Sequence, residues 1–260
     1  MVQNRLRRIF AERQSAYGLW VTLESPYVTE LAVAAGLDWV CVDMEHGHLD
    51  YREVSDHVRA VRGSETSVVV RVPQLEVSAI KRALDIGAHG VIIPFIQTPE
   101  ELETAFQYGK YPPRGVRGIG GDRAFKWGLG FQEYLACAND ETLVIPLIET
   151  RRAVENLDAL LEAPGLEALF LGPADMSASY GYPGQWEAPG VTDIVLDVRA
   201  RAARKGIATG ILSQSVADAE RRTAQGFGMV GFGSDMGLLL RSLRDCLAAV
   251  VRPVGEHLWF

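Results

Sequence analysis

Eight short apolar runs, each followed by a helical pattern, constrain this chain more than any other feature. The runs lie at residues 18–22, 39–43, 67–71, 90–94, 143–148, 168–171, 207–210 and 229–233. Val40-Cys41-Val42, Val68-Val69-Val70 and Leu169-Phe170-Leu171 show no polar alternation, as expected of parallel strands covered on both faces. Helical patterns follow at 26–35, 51–62, 77–85, 99–108, 151–161, 191–205, 216–225 and 237–251. Pro26 and Pro99 suit first-turn positions, and Gly36, Gly87, Gly206 and Gly226 each stand where a left-handed residue ends a helix. Eight strands with eight following helices predict a (β/α)8 TIM barrel rather than an open doubly wound sheet. No linker or composition shift divides the 260 residues, so the expectation is one domain over 1–260. An additional N-terminal helix is predicted, with Leu6, Ile9 and Phe10 facing inward. Arg5, Arg7, Arg8 and Arg13 would also suit a mitochondrial presequence, a reading the amphipathic pattern outweighs.

Polar residues stand where the apolar runs stop. Val40-Cys41-Val42 runs into Asp43, Glu45 and His46; Val68-Val69-Val70 stops at Arg71; the run at 143–148 stops at Glu149; and Leu171 leads through Gly172-Pro173-Ala174 to Asp175. Parallel strands gather these side chains at one rim of a barrel, the rim where catalysis is expected. Two connections, 110–135 and 177–189, are long and rich in glycine and aromatic residues. Both are read as leaving strand ends and walling the active site.

Net charge and cysteine usage exclude several classes. A formal charge of −7 gives no general attraction to phosphate backbones or anionic membranes, so neither nucleic acid nor a membrane is an expected partner. No apolar stretch reaches the roughly 18 residues of a membrane span. Cys41, Cys137 and Cys246 show no C-x-x-C spacing, which fits a reducing, cytoplasmic setting, with Cys41 a core residue.

Glu149 and Asp175 are the candidate metal ligands: two carboxylates from separate strands give a hard cation two oxygens and leave positions for water and substrate. Each could instead cap the helix that follows it. Asp43-Met44-Glu45-His46 offers an acid–base group, with His46 the proton carrier and His48 a loop residue. Arg71 ends an apolar strand, so its guanidinium needs a substrate anion, or Glu45 or Asp43, or both. Gly172-Pro173-Ala174-Asp175 is a tight turn whose N–H groups could cup a carboxylate. Gly231-Phe232-Gly233-Ser234-Asp235 has the outline of a barrel phosphate loop, though glycine there serves close packing equally well. No lysine ends an apolar strand, which weighs against a Schiff base.

In this order, Gly18-Leu19-Trp20, Gly36-Leu37-Asp38-Trp39, Asp43-Met44-Glu45-His46, Val70-Arg71, Ile80 to Gly87, Tyr111-Pro112-Pro113-Arg114-Gly115-Val116-Arg117-Gly118, Ile148-Glu149-Thr150 and Gly172-Pro173-Ala174-Asp175 resemble the HpcH/HpaI aldolase family of metal-dependent class II pyruvate aldolases. The resemblance runs from about Gly18 to Leu247. It implies reversible cleavage of a 4-hydroxy-2-oxo acid into pyruvate (or hydroxypyruvate) and an aldehyde, as in aromatic or sugar-acid breakdown. It implies Mg²⁺, Mn²⁺ or Co²⁺ on Glu149 and Asp175, and the acid carboxylate held by the backbone at Ala174 and Asp175. Arg71 would stabilise the enolate oxygen, Trp20 would contact substrate, and His46 would take the 4-hydroxyl proton through a water, with Asp43 and Asp85 orienting it. It also implies a trimer of dimers whose last helix is exchanged between subunits. Where close relatives carry a glutamine two residues before the metal-binding glutamate, this chain has Leu147, which removes an amide donor. A lyase or isomerase acting on a phosphorylated or CoA-linked acid is the rival enzyme reading, and a barrel that only binds a small acid is the non-enzymatic one.

Overall fold

The computed structural model describes residues 3–250. Eight parallel strands close into a barrel in sequential order, the eighth pairing with the first: β1 (Ala16–Val21), β2 (Trp39–Asp43), β3 (Ser67–Arg71), β4 (Gly90–Ile93), β5 (Leu143–Ile148), β6 (Ala168–Leu171), β7 (Ala208–Leu212) and β8 (Met229–Ser234). Around it run α1 (Arg5–Ala11), α2 (Pro26–Ala34), α3 (Tyr51–Ala60), α4 (Val77–Ile86), α5 (Pro99–Gly109), α6 (Phe131–Glu141), α7 (Arg151–Glu155), α8 (Leu157–Leu161), α9 (Pro173–Ser179), α10 (Val191–Arg204), α11 (Val216–Ala224) and α12 (Asp235–Val250). The predicted (β/α)8 architecture and N-terminal helix are both present.

Strand alternation divides the core in two. Val40, Val42, Val68 and Val70 face the helices, while Trp39, Cys41, Val69, Ile92, Ile145 and Phe170 fill the barrel interior. Trp39 and Phe170 fit because their neighbours lack side chains: a Cβ on Gly18 would lie 2.1 Å from the Trp39 ring, and one on Gly210 2.2 Å from Phe170. The α1 helix plugs the end of the barrel where the strands begin. Leu6 and Ile9 seal the interior cluster, and the Asn4 side chain caps the helix while donating to the carbonyls of His89 and Glu141 at 2.9 Å. Gly36, Gly87, Gly206 and Gly226 all adopt positive φ, as their positions after helices require.

Pairing moves several boundaries. β1 begins at Ala16 because Ala16 and Tyr17 pair with Met229 and Val230. β7 runs on to Leu212 because Ile211 and Leu212 pair with Val230 and Gly231. The 151–161 helix breaks at Asn156, whose amide donates to the Gln97 carbonyl at 2.8 Å.

The segment 110–135 is the main correction. It leaves α5, not a strand, and contains a 3₁₀ turn (Arg123–Gly128) and the start of α6. Tyr111, Phe125, Tyr134 and Ala138 form a separate small core there. The segment belongs to the end of the barrel opposite the polar rim, so in this chain it does not wall that rim. The 177–189 segment does lie on the rim side, following β6 and α9.

Candidate active site

Asp43 and Arg71 are register partners across β2 and β3, and both side chains point inward at the rim. Asp43 takes Arg71 in a fork: Nε donates to Oδ1 at 2.9 Å and Nη2 to Oδ2 at 2.5 Å. Arg71 Nη1 reaches Glu45 Oε2 at 3.0 Å, and the guanidinium carbon stands 5.0 Å from the Trp20 ring centroid. Trp20 Nε1 donates to Asp43 Oδ2 at 3.1 Å, and the backbone N–H groups of Glu45 and His46 donate to Asp43 Oδ1 at 3.0 and 3.3 Å. Burial alone would push the Asp43 carboxyl up, but Arg71 outweighs it and holds Asp43 below the ordinary range. Asp43 is thus the anchor of the rim. It aims the guanidinium, pins the indole and tightens the turn that carries His46.

Glu149 follows the last residue of β5 and is 2 % exposed. Its Oε1 accepts the Phe95 N–H at 2.8 Å. Phe95 delivers that N–H from a left-handed conformation (φ 54°) just after β4. The other carboxylate oxygen faces the gap left by Gly172, where a Cβ would lie 2.8 Å from Oε2. Burial raises the Glu149 carboxyl to about 7; the Phe95 N–H opposes this, and the negative charges of Asp175 and Glu45 add to it. Asp175 lies exposed in the first turn of α9, not before a later turn, and Ala174 precedes it there. Glu45 is also raised, first by burial, with Asp43 and Asp175 contributing.

Among the described residues no group of three or more His, Cys, Asp or Glu side chains forms a metal cluster. A cation between Glu149 and Asp175 would therefore draw its other donors from water and substrate. Hard cations of the Mg²⁺ type accept that arrangement. The residues fit such an ion: a buried carboxylate crowded by the negative charges of Asp175 and Glu45 is relieved by positive charge.

The structure brings together Trp20, Asp43, Arg71, Glu149, Ala174 and Asp175, with His46 beside them and its side chain exposed. Asp85 is elsewhere. It sits in the last turn of α4, where Oδ1 accepts Arg117 Nη2 at 2.7 Å at the opposite end of the barrel, so this chain does not bring it to its own His46. Leu147 pairs with Phe170 and joins Trp20 in the apolar layer below the rim. The 231–235 run is mostly β8, and its glycine serves packing: a Cβ on Gly231 would lie 2.4 Å from Leu212. Asp235 accepts from Thr22 and Leu23, which places a carboxylate where a phosphate loop would need donors. The Phe95 N–H and the Gly172 gap escape sequence reasoning, because neither is a side-chain feature.

Comparison with known proteins places the whole chain among relatives. The family model described as HpcH/HpaI aldolase/citrate lyase matches residues 16–242. A 5-keto-4-deoxy-D-glucarate aldolase of Shigella dysenteriae is 37 % identical over 246 residues, covering 94 % of this chain and 95 % of its own. A 4-hydroxy-2-oxovalerate aldolase of Rhodococcus jostii is 34 % identical, covering 92 % of each chain. Among solved structures, a HpcH/HpaI aldolase/citrate lyase family protein from Burkholderia cenocepacia superposes with a TM-score of 0.90 at 34 % identity, covering 96 % of this chain and all of its own. By the family model over most of its length and by these relatives, the chain belongs to the HpcH/HpaI aldolase/citrate lyase family.

Proposed function

We propose that this aldolase reversibly cleaves a 4-hydroxy-2-oxo acid into pyruvate (or hydroxypyruvate) and an aldehyde, with Mg²⁺, Mn²⁺ or Co²⁺ held by Glu149 and Asp175. Glu149 carries the reading: a buried carboxylate, fixed by one backbone N–H and within the field of Asp175, beside a clamped guanidinium. The names of the relatives, which act on 4-hydroxy-2-oxovalerate and 5-keto-4-deoxy-D-glucarate, support this substrate class.

When bound, the cation supplies a Lewis acid that stabilises the negative charge of the enolate. The chain's own residues do the rest. Arg71 points its remaining N–H donors at the ketone oxygen, where charge develops as the C3–C4 bond breaks. Asp43 and Glu45 fix that aim, so little reorganisation is left for the moment of reaction. The first-turn N–H groups at Ala174 and Asp175 hold the acid carboxylate. His46 takes the 4-hydroxyl proton through a water and returns it in the reverse direction. Trp20, beside Arg71, contacts the acid's carbon skeleton, with Leu147 in the apolar layer beneath it.

The test compares two reactions. Retro-aldol cleavage and oxaloacetate decarboxylation share an enolate, but only cleavage has a hydroxyl proton to remove. His46→Ala should cripple cleavage much more than decarboxylation, and Glu149→Gln should damage both. Full turnover in chelator after exhaustive dialysis would overturn the metal assignment, and equal losses in His46→Ala would remove His46 as the base.

We also infer a homo-oligomer, the trimer of dimers with an exchanged last helix. Its support is the apolar surface on α12, where Leu239, Leu243, Leu247 and Val250 are exposed. A cytoplasmic setting is supported by Cys41, Cys137 and Cys246 all being free thiols. No described helix is long and apolar enough to cross a membrane.

A further inference from the structure

A cavity of about 660 Å³ opens at the end of the barrel opposite Glu149, between α1, the C-terminal ends of α3 and α4, and the 3₁₀ turn at Arg123–Gly128. Six cationic side chains line it, Arg5, Arg8, Arg59, Arg62, Arg123 and Lys126, against a single carboxylate, Glu65. The whole chain carries −7, so this concentration of positive charge runs against its average.

Ion pairs offset only part of it. Glu65 is shared by Arg5 at 2.6 Å and Arg8 at 3.3 Å, and Arg5 also reaches Asp38 at 2.7 Å. Arg59 pairs with Asp56, and Lys126 stands 3.5 Å from Glu133. Among the described residues no carboxylate stands within ion-pair distance of Arg62 or Arg123, and only the neighbouring Asp122 adds negative charge near Arg123. Arg123 uses one N–H on the Ile86 carbonyl at 2.9 Å. Burial, and then the charges of Arg59 and Arg62, hold its guanidinium below its ordinary value. Like charges crowded at the wall of a cavity are relieved by an anion inside it.

A second, independent feature faces the same space. Lys126 (φ 51°, ψ 43°) and Trp127 (φ 54°, ψ 35°) both occupy the left-handed region, a conformation that non-glycine residues rarely adopt. Trp127 is 73 % exposed. The strained pair sets an ammonium and a bare indole at the lip of the guanidinium cluster, offering a flat surface for stacking.

We propose that this cavity is a binding site for a phosphate-bearing anion, its phosphate oxygens taken by Arg59, Arg62 and Arg123 and its remainder lying against Trp127. Guanidinium forks match phosphate geometry, and several forks around one cavity select multiply charged phosphate over chloride or a single carboxylate. The ligand is either a simple polyphosphate or a nucleotide, and Trp127 tells them apart. The site is separate from the aldol rim and does not depend on the reaction proposed there.

The test is calorimetric titration of the full chain with inorganic pyrophosphate and with ATP. Chelator is present, so that neither ligand is drawn to a divalent cation at the rim. Saturable binding that weakens with salt is expected for one or both. Arg62→Ala and Arg123→Ala should each weaken it about tenfold, the worth of a charge-assisted contact. Arg62 is exposed, so its variant should keep the wild-type unfolding temperature and, with metal restored, wild-type oxaloacetate decarboxylation. If Trp127→Ala weakens ATP selectively, the ligand is a nucleotide; if pyrophosphate and ATP respond alike, it is a simple phosphate. Absence of saturable binding of either probe overturns the proposal, as does affinity unchanged in the Arg62→Ala/Arg123→Ala double variant.

Discussion

Asp43→Asn should damage the protein in two ways at once, because one carboxylate serves five donors. Arg71 gives it two N–H groups, Trp20 one, and the backbone at Glu45 and His46 two more. An amide keeps one acceptor oxygen and turns an NH₂ toward the others, so at least Arg71 Nη2 or Nε meets a donor instead of an acceptor. Asp43 is 1 % exposed and Arg71 9 %, so water cannot easily replace what is lost. Removing one member of such a pair costs about 3–5 kcal/mol. Glu45 remains on Arg71 Nη1 and retains part of the compensation, which puts the expected loss near the lower figure, about 3 kcal/mol.

Urea unfolding at fixed protein concentration measures the stability part. A double-mutant cycle with Arg71→Met isolates the pair: the double variant should be less destabilised than the two single losses added together, because no unpaired guanidinium is left buried. Retro-aldol cleavage should fall steeply in Asp43→Asn even at temperatures where the variant is fully folded, since Arg71 loses its aim. A loss under about 1 kcal/mol, with additive effects in the cycle, would show that the Asp43–Arg71 fork neither holds the rim together nor directs the guanidinium.

Two further outcomes follow from burial and close approach. Gly172→Ala should weaken Mn²⁺ binding and lower the unfolding temperature, because the new Cβ would lie 2.8 Å from Glu149 Oε2 and 2.9 Å from its Cβ, and the second atom is fixed to the backbone; wild-type metal affinity would refute the close approach of Gly172 as a constraint on the Glu149 carboxylate. Lys110 is buried with its ammonium on the carbonyls of Asn139 (2.7 Å) and Thr142 (2.6 Å), and burial lowers it to about 8. Between pH 8 and its ordinary value near 10.5 the unfolded chain binds the proton more, so this group makes stability rise with pH across that window, by at most about 3 kcal/mol. Urea midpoints of the wild type should show that rise and Lys110→Met should lose it; parallel pH profiles would refute it.

The barrel was legible because its strands are covered on both faces, and an unbroken run such as Val68-Val69-Val70 fits little else. Strand direction then fixed one rim for Asp43, Arg71, Glu149 and Asp175. The 110–135 segment departs from what its sequence predicts for a physical reason. Its helix α6 buries only Tyr134 and Ala138, against the small cluster of Tyr111 and Phe125, so it lacks the broad apolar face that betrays a helix in sequence. Glycine-rich sequence before it reads as a wall of the site, whereas it follows a helix and so returns the chain to the opposite end. Asp85 shares that placement. The Phe95 N–H on Glu149 was illegible in principle, since every non-proline residue offers one and only the fold aims it.

The two ends of the barrel carry opposite demands. At the rim, Asp43, Glu45, Glu149 and Asp175 face one cation, Arg71. Arg71 is committed to Asp43 and shared with Glu45, which leaves Glu149 raised to about 7 by burial and by its acidic neighbours. A 2-oxo acid approaching this rim brings another carboxylate into the same crowd, which Coulomb repulsion opposes. A divalent cation on Glu149 and Asp175, as proposed, would reverse that sign and make the rim attractive to such an acid. At the far end the imbalance is the reverse, guanidinium groups without enough carboxylates. Neither imbalance is explained by folding, because replacing a like charge at either end by a neutral residue would relieve repulsion. Each end is better understood as complementary to a charge that arrives from outside, a cation at the rim and an anion at the base.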